Sequence, residues 1–85
     1  MKLWLLRPVD GLRTFKGRPN PWYPWYNKCF GFVIRAETEK DARKIAAEDC
    51  RNEGESAWMD VKYSTCEELF PNGEAGVIIE DFSIG

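Results

Sequence analysis

At 85 residues the chain has the length of one small domain, which buries only about 60–65% of its unfolded surface and so has a thin core. A content of 44% hydrophobic and 31% charged residues excludes a disordered chain, and the absence of histidine removes the commonest general base and the commonest metal ligand. The net charge of −2 conceals an asymmetry: the first 36 residues set Lys2, Arg7, Arg13, Lys16, Arg18, Lys28 and Arg35 against Asp10 alone, and the rest sets five basic residues against thirteen acidic ones. The two parts either form opposite faces of a polar molecule or face each other and compensate.

Residues 2–7 (KLWLLR) predict a strand, apolar on both faces and stopped by Pro8, hence interior to its sheet. Its apolar run, residues 3–6, is too short for a signal peptide or a membrane span, so no membrane association is expected. Residues 8–28 form a long loop, because Pro8, Gly11, Gly17, Pro19, Pro21 and Pro24 forbid a regular helix. Residues 29–36 (CFGFVIRA) predict a second strand, with Phe30, Phe32 and Ile34 on one face.

Thr38 opens a helix over residues 39–51, its hydroxyl placed to cap the first turn and Glu37, Glu39 and Asp41 at the positive end of the dipole. Ala42, Ile45, Ala46 and Asp49/Cys50 form its core face, and Arg43, Lys44 and Glu48 its solvated face. Residues 57–60 (AWMD) read as a short strand or an anchoring turn, with Trp58 plugging the core edge. Ser64-x-x-Glu67 has the spacing of a capping box and predicts a helical turn over residues 65–70. Residues 76–82 (GVIIEDF) predict a last strand, with Val77 and Ile79 toward the helix. The economical packing is a single α+β domain over residues 1–85: a three- to four-stranded, mainly antiparallel sheet with one α-helix on a face.

Eight of the twelve aromatic residues lie in the basic part, and the tract at residues 19–28 (PNPWYPWYNK) concentrates them. Prolines hold such a backbone extended, and Trp, Tyr and Arg are the residues enriched at binding hot spots. Arg13, Lys16, Arg18, Trp22, Tyr23, Trp25, Tyr26 and Lys28 are therefore the candidate binding residues. The competing account is that alternate rings cover the sheet while the others face out. A protein partner is favoured. Single-stranded nucleic acid stacking on the rings is the first alternative, opposed by the acidic half and by the lack of any recognised nucleic-acid motif. Self-association of the loop with a neighbour's acidic face is the second.

No catalytic constellation is visible. Ser64, Thr65 and Cys66 have no evident base partner, Glu67 is accounted for as a cap, and no phosphate-binding loop occurs. The expectation is a chain that is not an enzyme and takes no metal or cofactor. Cys29, Cys50 and Cys66 make no C-x-x-C motif, and an odd count reads as reduced thiols of a cytoplasmic protein, packed as small hydrophobes.

The segments MKLWLLRP, FVIRAETEKDARKIAAE, W-x-D with STCEEL, and GVIIEDF span most of the chain and resemble small uncharacterised proteins encoded by phages, prophages and other mobile elements. The resemblance carries no activity and no site residue. It implies an accessory role, such as binding and inhibiting a host protein.

Overall fold

The computed structural model describes residues 1–10, 20–24 and 26–79. Five elements follow in order: β1 (Lys2–Pro8), β2 (Phe32–Ala36), α1 (Glu39–Asp49), α2 (Glu55–Met59) and β3 (Ser64–Leu69). The strands form one antiparallel sheet in the order β2-β1-β3, so the fold is α+β, with three strands and two helices among the described residues. β1 is central, as its apolar residues on both faces require: Leu5 and Leu6 point to opposite sides and both are buried. Opposite pairs Trp4↔Ile34, Leu6↔Phe32 and Leu6↔Cys66 share the face that meets the helices. The Trp4 indole Nε1 donates to the Ala36 carbonyl at 3.0 Å, fastening the end of β2. Residues 29–31 precede β2 without joining the sheet.

α1 begins where Thr38 places it, with Asp41 N–H donating to Thr38 Oγ1 at 3.2 Å. It ends at Asp49, short of residue 51, because Cys50 turns extended. Its buried stripe is Ala42, Arg43, Ala46 and Ala47, which corrects the expected face: Ile45 is 37% exposed and Arg43 is buried. The reason is the guanidinium. Arg43 Nε donates to Glu39 Oε2 at 2.9 Å, Nη1 to the Trp58 carbonyl at 2.8 Å and to Ser64 Oγ at 2.9 Å, and Nη2 to the Ser64 carbonyl at 3.1 Å. One side chain thus ties α1, the end of α2 and the start of β3 together, and it rotates the helix about one residue from the purely apolar stripe.

Three further expectations are corrected. Of the short strand or anchoring turn expected at residues 57–60, the strand is not formed: they lie in and just after the short helix α2. Gly54 supplies the positive φ of 87° at the α2 N-cap, and Trp58 sits in the centre of the core rather than at its edge. Residues 64–69 are strand β3, not a helical turn, because pairing with β1 outweighs the capping pattern and Arg43 occupies Ser64. Residues 76–79 belong to no strand, and Val77, Ile78 and Ile79 are exposed, so Val77 and Ile79 do not meet the helix; residues 80–82 of that expected strand lie outside the described residues.

The core gathers Leu6, Ile34, Ala36, the α1 alanines, Ala57, Trp58 and Trp22. Trp58 stands edge-on to both Trp22 (centroids 5.3 Å apart, planes at 83°) and Phe32 (5.0 Å, 81°), the perpendicular geometry that ring quadrupoles favour. Among the described residues every buried side-chain nitrogen and oxygen is hydrogen-bonded.

Candidate functional site

The aromatic-basic loop divides into residues that anchor it and residues that it displays. Arg13, Lys16, Arg18 and Trp25 lie outside the described residues. Of the rest, Trp22 is an anchor. Its ring is fully buried, its Nε1 donates to the Cys29 carbonyl at 2.7 Å, and it offers no surface to a partner; its candidacy as a contact residue is corrected on that ground. Asn20 starts the turn that seats it: Trp22 N–H donates to Asn20 Oδ1 at 3.0 Å and Tyr23 N–H to the Asn20 carbonyl at 3.2 Å. The Tyr23–Pro24 peptide bond is cis, and Asn27 takes the left-handed conformation at φ 55°, which asparagine tolerates better than most residues.

Lys28 closes the turn from within. Its ammonium donates to the Pro24 carbonyl at 2.7 Å and the Tyr26 carbonyl at 3.2 Å. Just before it the backbone is fastened to the α1–α2 junction, where Asn52 N–H donates to the Asn27 carbonyl at 2.9 Å. Glu53, buried under this contact, accepts from Cys29 N–H (3.0 Å) and Arg51 N–H (3.2 Å) on Oε1 and from Trp58 Nε1 (2.7 Å) on Oε2. A carboxylate holding three N–H groups is the keystone between loop, core and junction. Sequence reasoning missed Glu53, because an isolated glutamate in an Asn-Glu-Gly turn gives no sign that it folds inward.

Two rings are displayed on this pinned backbone: Tyr23 is 45% exposed and Tyr26 70%. Among the described rings of the tract, Trp22 turns inward and Tyr23 and Tyr26 face outward.

Two of the three thiols lie at the same place. Burial first, and the Glu53 charge second, push the Cys29 and Cys50 thiols above their ordinary value. Cys66, on β3, is pushed up to about 11 by burial and then by the charge of Glu39. Among the described residues no three histidine, cysteine or carboxylate side chains gather as a metal site, and no helix is long and apolar enough to cross a membrane. Comparison with protein-family models, curated proteins and solved structures gives no match.

Proposed function

We propose that the chain is a small non-catalytic, cytoplasmic protein-binding module, an adaptor or inhibitor whose contact surface is the loop at residues 8–28. The observation that carries this reading is the display of Tyr23 and Tyr26 on a backbone fixed by Trp22, Lys28 and Glu53. Ordering a loop before binding removes part of the entropy cost of association, and tyrosine brings a large amphipathic contact area. The resemblance to mobile-element proteins supports an accessory role of this kind.

The test is site-specific photo-crosslinking with benzoylphenylalanine at position 26 and, as a control, at Lys40, an exposed residue of α1. The expected result is one partner trapped from position 26 and absent from position 40. Binding of that partner by the Tyr23→Ala/Tyr26→Ala double variant should then weaken about thirtyfold, the effect of a hot spot worth about 2 kcal/mol. A partner bound with unchanged affinity by the double variant, with the fold intact, refutes the reading.

A further inference from the structure

We infer that Cys29 and Cys50 form a dithiol modification site, which closes to an intramolecular disulfide and locks the aromatic loop onto the α1–α2 junction. The inference rests on chain geometry and does not depend on what the loop binds. Both thiols are free and partly exposed. Cys29 N–H and Arg51 N–H converge on a single oxygen, Glu53 Oε1, at 3.0 and 3.2 Å, so the two backbone nitrogens are near neighbours. The Arg51 nitrogen is bonded directly to the carbonyl carbon of Cys50. A second tie, Asn52 N–H to the Asn27 carbonyl at 2.9 Å, holds the two segments side by side. Cys29 also enters the electrostatic surroundings that raise the Cys50 thiol, as expected of two side chains at one junction. A disulfide needs Cα atoms about 4.4–6.8 Å apart, and the two ties bring the segments that carry Cys29 and Cys50 side by side. Cys50 Sγ now donates to the Ala47 carbonyl at 3.1 Å, a contact that it gives up in turning toward Cys29.

The oxidant is a small-molecule disulfide. One cysteine, as thiolate, attacks it, forming a mixed disulfide and releasing one small thiolate. The second cysteine thiolate then attacks the protein sulfur of that mixed disulfide, forming the Cys29–Cys50 bond and releasing the second small thiolate. The two protons lost by the cysteines go to the two released thiolates. The protein pair is oxidised, and the small disulfide is reduced to two thiols. Burial and Glu53 keep both thiols protonated at neutral pH, so closure is slow there and quickens in alkali.

The experiment treats the folded full chain with oxidised glutathione, quenches with acid, alkylates the remaining thiols and digests with trypsin. Cleavage after Lys28, Arg35, Lys44 and Arg51 puts the three cysteines in separate peptides. The expected product is residues 29–35 (CFGFVIR) joined to residues 45–51 (IAAEDCR), from a monomer lighter by two hydrogens, with Cys66 alkylated. Two of the three thiols are lost, and the Cys50→Ala variant instead retains glutathione on Cys29. Glutathione retained on both Cys29 and Cys50 of the native chain overturns the proposal. So does a bridge to Cys66, a bridge between two chains, or an equal yield of the linked peptides in denaturant.

Discussion

Among the described residues Arg43 and Glu53 are the two buried charged side chains, and each works by holding backbone groups that would otherwise be orphaned. Replacing Glu53 by alanine strands the N–H groups of Cys29 and Arg51 and the indole of Trp58. Removing the partner of buried donors costs about 1–3 kcal/mol, and a domain of this size loses about 4–8 °C of melting temperature per kcal/mol. Glu53→Ala should therefore lower the melting temperature by about 4–24 °C, measured by thermal denaturation. Arg43→Lys should also destabilise, although the charge is kept, because an ammonium cannot reach Glu39, Trp58 and Ser64 at once as the planar fork does. Cys66 gives a pH dependence. Its folded value of about 11 lies above its unfolded value of 9.0, so the unfolded chain ionises first as pH rises. Stability is retained below pH 9 and is lost between pH 9 and about 11, and denaturant melts of Cys66→Ala should show a smaller alkaline loss.

Among the elements, those written in local pattern were legible and those set by distant partners were not. β1 declared itself by apolar residues on both faces, β2 by alternation, and α1 by its Thr38 cap. Thr38→Ala should cost about 1 kcal/mol in equilibrium unfolding, the usual worth of such a cap. β3 was hidden because STCEEL carries a capping-box spacing while its strand state comes from residues sixty positions earlier: Leu6 opposite Cys66, and Trp4 opposite Glu68. α2 was hidden because five residues are too few to show a helical period. The residues at 76–79 show the reverse case, a β-rich pattern to which the sheet gives no partner. At the candidate site the aromatic tract was legible as a surface feature, but the inward turn of Trp22 was not. It depends on Cys29 and Trp58, which the tract itself does not contain.

Across the whole molecule, the charge asymmetry is in part compensated. The sheet places β1, with Lys2 and Arg7, beside β3, with Glu67 and Glu68, and Lys2 Nζ lies 3.8 Å from Glu68 Oε1. The contact is long and Lys2 is exposed while Glu68 is half-buried, so Lys2→Ala should change stability by less than about 1 kcal/mol in chemical denaturation. Partner choice is also a property of the whole charge distribution. Titration of the folded protein with short single-stranded DNA or RNA should give no salt-sensitive tryptophan quenching. Steep quenching that fades with salt would instead favour aromatic stacking on nucleic acid.

The perpendicular indoles of Trp22 and Trp58 carry a consequence for observing this protein. One belongs to the loop and the other to α2, with 5.3 Å between their centres. Indoles this close couple their transitions, so the aromatic circular dichroism should change when either ring leaves. The chain thus contains an optical gauge of whether its loop is seated, readable without any label.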